Sequence, residues 1–138
     1  MGTEIQEINP LEAHALLAQE SNARLIDVRS KMEFDYVGHP VGAIHLFWKE
    51  FPEWVQNPNF MAAVETALKM SGVVDKTAPL LVICRSGVRS RNAGESLLGH
   101  GYTRVYNVNE GFEGDKDDNQ HRGNINGWRF HRLPWEQG

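Results

Sequence analysis

Short apolar runs alternate with longer amphipathic ones along this chain. Arg24–Val28, Ala43–Leu46, the run from Leu80 to Ile83, and Arg104–Val108 have strand length and are rich in Val, Ile and Leu. Between them lie segments with helical signals. Asn9-Pro10 is a helix start, a cap followed by Pro in the first turn, and Leu11, Ala15, Leu16 and Ala18 then mark an apolar stripe ending near Gln19. Asn57-Pro58 repeats that signature, and Phe60, Met61, Val64 and Leu68 keep helical spacing until Gly72. A third helical segment, Asn92 to Leu98, stops at Gly99-His100-Gly101. Strands alternating with helices predict an α/β fold, a parallel sheet covered on both faces.

Two stretches break the pattern. Gly38-His39-Pro40-Val41-Gly42 reads as a turn. From Gly111 to Gly127 the chain is polar, turn-rich and aperiodic, a loop long enough to be functional or mobile. Trp128, Leu133 and Trp135 follow as anchors for the C-terminal end. Trp48, Phe51 and Trp54 read as core or pocket wall rather than as a stripe for a partner.

A length of 138 residues suits one domain with one core, and 41% hydrophobic residues are enough to fill it. No apolar run approaches the ~18 residues of a membrane span, and the N-terminus lacks the basic and apolar regions of a signal peptide. With one cysteine, this places the protein in the cytoplasm as an expectation. The formal net charge is −4, without the broad basic face that nucleic acid requires.

Candidate chemistry concentrates at one point. The apolar run ending at Ile83 delivers the lone cysteine, Cys84, to a turn reading Arg85-Ser86-Gly87-Val88-Arg89-Ser90-Arg91. A thiol at the start of a helix, facing backbone N–H groups, is favoured as the thiolate, the reactive form. A helix terminus contributes only about 0.3–1 kcal/mol, so hydrogen bonds and guanidinium charge must supply most of that stabilisation. A positive turn in an acidic protein focuses small anions. The six histidines lack metal-ligand spacing. Asp115, Asp117 and Asn119 superficially match a calcium loop, but Gln120 stands where its glycine is required and Asn126 where its terminal Glu is required. No metal or cofactor is expected.

Four motifs in order resemble the rhodanese family of sulfurtransferases. Leu25-Ile26-Asp27-Val28-Arg29, then Glu33 and Gly38-His39-Pro40-Val41-Gly42-Ala43, resemble its first signature. Cys84-Arg85-Ser86-Gly87-Val88-Arg89-Ser90 is similar to its active-site loop, and Gly101–Tyr106 with Gly127-Trp128 and Leu133-Pro134-Trp135 to its C-terminal part. The resemblance runs from about Ile5 to Trp135. It implies one rhodanese-like domain over residues 1–138, core about 5–135, with a central five-stranded parallel sheet and helices on both faces. It also implies a persulfide mechanism. Cys84 takes the outer sulfur of a small sulfur-containing anion such as thiosulfate and passes it to cyanide or a thiol. A sulfur donor or acceptor protein is the alternative partner, in a sulfur relay.

Within the loop, Gly87 permits the tight turn, and backbone N–H groups from Arg85 to Ser90 are expected to form a nest for the persulfide, with Ser86 and Val88 contributing. By the resemblance, Arg89 closes the loop, while Arg85 faces the mouth and meets the donor's oxygens. Asp27 and Arg29 tie the end of their strand to nearby loops, Glu33 and His39 form a bracing pair, and Arg91 is either a supporting residue or a charge on the helix surface. The spacing from Cys84 to Arg89 is Cys-x4-Arg. Relatives that hydrolyse phosphate esters use Cys-x5-Arg, a ring wide enough to encircle phosphate, so a phosphatase or arsenate reductase is disfavoured. The chain departs from the family at Ser86, where some thiosulfate-using members carry Lys. It departs again where Glu110-Gly111-Phe112-Glu113-Gly114 and an irregular insert, 115–126, replace a Gly-Gly pair shortly before a Trp.

Overall fold

A computed structural model describes residues 4–50 and 52–138. In chain order the elements are β1 (Gln6–Ile8), α1 (Pro10–Gln19), β2 (Arg24–Asp27), a π-helical turn (Glu33–Val37), β3 (His39–Pro40), β4 (Ile44–His45), β5 (Lys49–Glu50), β6 (Val55–Gln56), α2 (Phe60–Met70), β7 (Leu80–Ile83), α3 (Val88–Gly99), β8 (Val105–Val108) and β9 (Trp135–Glu136). Five strands form one parallel sheet in the order β1-β8-β7-β2-β4, with Asp27 opposite Ile83 and Val82 opposite Asn107. This is the five-stranded parallel α/β sheet that the sequence led us to expect. Two-residue antiparallel pairs, β3 with β9 and β5 with β6, lie outside the main sheet.

Strand alternation sorts the core into two layers. Ile26, Val28, Leu80, Val82 and Val105 pack against Phe60, Val64 and Leu68 of α2 and Ala93 and Leu97 of α3. Leu25, Leu81, Ile83 and Val108 face the other way, onto Ala13, Leu16 and Leu17 of α1 and onto Phe112, Trp128 and Leu133. The C-terminal anchors act as expected: Trp128 is buried, its Nε1–H donating to Pro134 O at 2.9 Å.

Three local expectations are corrected. The buried face of α1 is Pro10, Ala13, Leu16 and Leu17, in which Ala13, Leu16 and Leu17 keep i, i+3, i+4 spacing, whereas Leu11, Ala15 and Ala18 of the expected stripe point to solvent. Helix α2 starts at Phe60, two residues later than an Asn57 cap would give, since Asn57 Oδ1 is used by Asn59 N–H at 3.0 Å. The strand at Val105–Val108 is not the last, and the 38–42 turn contains a strand, because His39 and Pro40 pair with Glu136 and Trp135. Trp48 is core, edge-on to Phe60, as expected, and Phe51 lies outside the described residues.

Candidate active site

The sheet order determines where a ligand can sit. From β2 the chain moves outward to β4 on one side, while from β7 it moves to β8 on the other. The carboxyl ends of the adjacent strands β2 and β7 therefore form the topological switch point, the crevice that open α/β sheets use for ligands. Cys84 is the first residue after β7, and Val28 to Gly38 is the loop after β2.

Burial brings Cys84 to 1% exposure, yet its sulfur is not surrounded by hydrocarbon alone. Gly87 N–H donates to Sγ at 3.1 Å and the Ser90 hydroxyl lies 3.2 Å away. The turn between them depends on Gly87, whose φ is +108° and whose missing Cβ would collide with the Asn109 carbonyl. Helix α3 begins at Val88 with no side-chain cap, so its first N–H groups are left for a ligand at the sulfur. The outer wall of the turn is held by backbone: Phe112 N–H donates to Cys84 O at 2.8 Å and Glu113 N–H to Arg85 O at 3.0 Å.

The expected pairing of Glu33 with His39 is not what forms. Both terminal nitrogens of Arg89 donate to Glu33, each at 2.8 Å, across the crevice from the loop after β7 to the loop after β2. Glu33 also closes a capping box with Ser30, taking its backbone N–H at 3.2 Å and hydroxyl at 2.9 Å while returning its own N–H to Ser30 Oγ. Burial works against the Glu33 charge, but Arg89 and Ser30 outweigh it and hold its carboxyl at a pKa of about 2. Burial likewise opposes the Arg89 charge. Hydrogen bonds to Glu33 and the charges of Glu33, Cys84 and Asp27 overcome it and raise its pKa. His39 instead stacks flat on Phe34 at 3.6 Å and reaches Glu136 at 3.5 Å. The ladder of β3 with β9 turns its ring away from Glu33.

Asp27 and Arg29 are fully buried and hold each other, with Arg29 Nη2 2.7 Å from Asp27 Oδ2 and 2.6 Å from Gly38 O. The guanidinium also lies over the Phe112 ring at 4.5 Å. They brace the loop after β2 from below and do not touch the sulfur. Arg91 turns away, pairing with Glu7 on β1 and approaching Glu95, half exposed. Arg85 projects from the turn into an open cleft of about 300 Å³, which Ser30, Glu33, Trp54 and Arg122 also line. Among the described residues no group of three or more His, Cys, Asp or Glu side chains is placed to hold a metal ion.

The model of the rhodanese-like domain matches residues 9–118. The chain belongs to the rhodanese-like family. Thiosulfate sulfurtransferase GlpE of Haemophilus influenzae is 35% identical over 109 residues, covering 79% of this chain and 86% of its own. An uncharacterized protein of Rickettsia conorii is 35% identical across 96% of this chain and 98% of its own. In three dimensions, the crystal structure of Rv0390 from M. tuberculosis superposes with a TM-score of 0.82 at 35% identity, covering 98% of this chain and 99% of that one.

The rhodanese-like match ends at Asp118, inside the insert, and the structure shows how the rest is organised. Asp117 accepts the N–H groups of Asn119 and His121 and the Asn124 amide, so its carboxyl sits below the ordinary range. Asp115 and Asn126 bond reciprocally at the feet of the loop, at 2.8 and 3.0 Å. Arg122 returns from the loop to donate to Gly114 O at 2.6 Å, on the rim of the cleft. The insert is an Ω-shaped loop tied by its own hydrogen bonds.

Four contributors were not singled out by sequence reasoning. Ser30 carried a signal, the Ser-x-x-Glu spacing to Glu33. Arg122 and Asn107 carried none. Asn107, opposite Val82, accepts the Ser90 hydroxyl at 2.5 Å and donates to Glu7 at 2.9 Å and Gly87 O at 3.1 Å. Glu7 thereby connects the edge strand to the turn.

Proposed function

We propose that this rhodanese-like protein is a sulfurtransferase that moves a sulfane sulfur from a small anionic donor to cyanide or a thiol through a persulfide on Cys84. With thiosulfate, the Cys84 thiolate attacks the outer sulfur. A bond forms between Sγ and that sulfur, the donor's S–S bond breaks, and its electron pair leaves on sulfite. The acceptor then attacks the outer sulfur of the persulfide, and the pair in that S–S bond returns to Cys84. Splitting the transfer this way is nucleophilic catalysis.

The observation that carries the reading is the place of the sulfur, with Gly87 N–H donating to it and the Ser90 hydroxyl 3.2 Å away, at the head of a helix whose first N–H groups have no side-chain cap. An outer sulfur set about 2 Å beyond Sγ would meet the N–H groups of Arg85 to Ser90, Ser86 and Val88 among them. Arg85, exposed at the cleft, is assigned to the donor's oxygens. Arg89 closes the turn. Its engagement on Glu33 also argues against phosphate chemistry, since a guanidinium with both forks occupied is not free to bind phosphate. A cysteine only 1% exposed suits a small donor better than the face of a protein, so the relay reading ranks second.

The test is thiocyanate production from thiosulfate and cyanide by the protein and by Cys84→Ala. The reading expects turnover that vanishes in the variant, and protein purified without reductant to carry one extra sulfur atom on Cys84. Equal thiocyanate from both proteins would overturn it.

A further inference from the structure

A buried amide sits behind the Cys84 turn. Asn107 lies in β8 between Tyr106 and Val108 and is 2% exposed, so each of its polar atoms needs a partner. Its nitrogen gives one proton to Glu7 Oε1 of β1 and the other to Gly87 O, at the start of α3. Arg91 holds the Glu7 carboxylate from the surface side. The amide is therefore locked in one orientation, with Oδ1 toward the fully buried Ser90 hydroxyl.

That hydroxyl has a single proton and, among the described residues, two acceptors, Asn107 Oδ1 and Cys84 Sγ. The charge on the sulfur decides between them. A thiolate is an ionised acceptor, and a bond to it is roughly twice as strong as one to a neutral oxygen. Loading reverses the preference. Once Sγ is bonded to an outer sulfur, the charge has moved outward and Sγ is a weak acceptor of the thioether kind. A turn of the hydroxyl about its own C–O bond then hands the proton to Oδ1, with no movement of the backbone.

We infer that Asn107 is a positioning residue for sulfur transfer: its Oδ1 takes the Ser90 proton when Cys84 is loaded and gives it up when the thiolate is free, so that neither state leaves the buried hydroxyl without an acceptor. The inference rests on the sulfur-transfer reading and adds the residue that sets the balance between its two states. With thiosulfate the step balances: thiolate and thiosulfate give the persulfide anion and sulfite, the donor's S–S electron pair leaves on sulfite, and the Ser90 proton only changes acceptor.

The experiment measures the loading constant, the ratio of persulfide to free Cys84 at fixed ratios of thiosulfate to sulfite, by intact-protein mass. It is taken at a pH above which the constant no longer changes, so that thiolate and persulfide are the states compared. Asn107→Leu, similar in size but without the oxygen, should lower the constant about fivefold, the worth of one neutral hydrogen bond. In a Ser90→Ala background the same substitution should change it by less than about twofold, because the shared proton is gone. Asn107→Asp keeps an oxygen toward Ser90 and should leave the constant equal or higher. A purely structural amide gives another pattern, a fall with Asp as with Leu and the same fall with or without Ser90. Either of those results, or an unchanged constant in Asn107→Leu, would overturn the inference. Should Asn107→Leu not fold, Asn107→Asp decides alone, a lower constant against the inference and an equal or higher one for it. Persulfide on the parent protein leaves the sulfur-transfer reading standing in every case; its absence with thiosulfate would remove both.

Discussion

Glu33 and Arg89, 56 positions apart, meet fork to fork with both nitrogen–oxygen distances at 2.8 Å. Each side chain is only 16% exposed, which puts the pair between a solvated surface bridge and a fully buried one. Glu33→Gln leaves a partly buried guanidinium without its counter-charge and weakens the capping box at Ser30. The expected cost is about 2 kcal/mol, several degrees in Tm for a domain of this size. Thermal unfolding of the two proteins side by side checks it, and matching transitions would show the pair to be ornamental.

The same carboxyl makes stability depend on acid. Its folded pKa of about 2 lies below the reference value of 4.5. A depressed carboxylate stabilises the fold fully above the higher value, and that contribution is lost as pH falls toward the lower one. The deficit of Glu33→Gln should therefore be largest above pH 4.5 and shrink between 4.5 and about 2. Urea midpoints across that range measure it; a deficit independent of pH would contradict the assignment.

Ser90 has one hydroxyl proton and two claimants, Cys84 Sγ at 3.2 Å and Asn107 Oδ1 at 2.5 Å. The Asn107 amide nitrogen is committed to two acceptors, so its oxygen must face the hydroxyl. When the sulfur carries charge, donation to it is worth about 1.5–3 kcal/mol. Ser90→Ala should thus slow loading of Cys84 by roughly tenfold or more, by the factor of ten per 1.4 kcal/mol. Rapid-mixing measurement of sulfite release tests this, and an unchanged rate would remove Ser90 from the mechanism.

Asp117 holds the insert through two backbone N–H groups and one amide. Asp117→Ala should raise amide exchange across residues 115–126 while leaving Tm within about two degrees, since the loop packs outside both core layers. A large fall in Tm would mean that the loop supports the sheet after all.

What could be read from the residues alone follows a physical division. The strands at Arg24–Asp27 and Leu80–Ile83 are buried on both faces and announce themselves as apolar runs. The start of α1 was legible because Asn9 and Pro10 act on neighbouring backbone. Strand β1 was missed, since Gln6 and Glu7 are polar and its pairing with Tyr106–Val108 spans 100 positions. The Cys84 turn stood out in the sequence because its residues, Cys84 to Arg91, are contiguous. The Glu33 partner was misassigned because nearness in sequence favoured His39, while the parallel adjacency of β2 and β7 delivers Arg89. Side chains that support the turn from other strands, Asn107 and Glu7, leave no mark in spacing.

Because Asp115 and Asn126 clasp each other, the twelve residues between Gly114 and Gly127 leave the domain and return to it at a single point. Such a segment can be exchanged for another of different length or charge while Cys84 keeps its surroundings. Variation in this loop therefore reaches the rim of the cleft without disturbing the packing around Cys84.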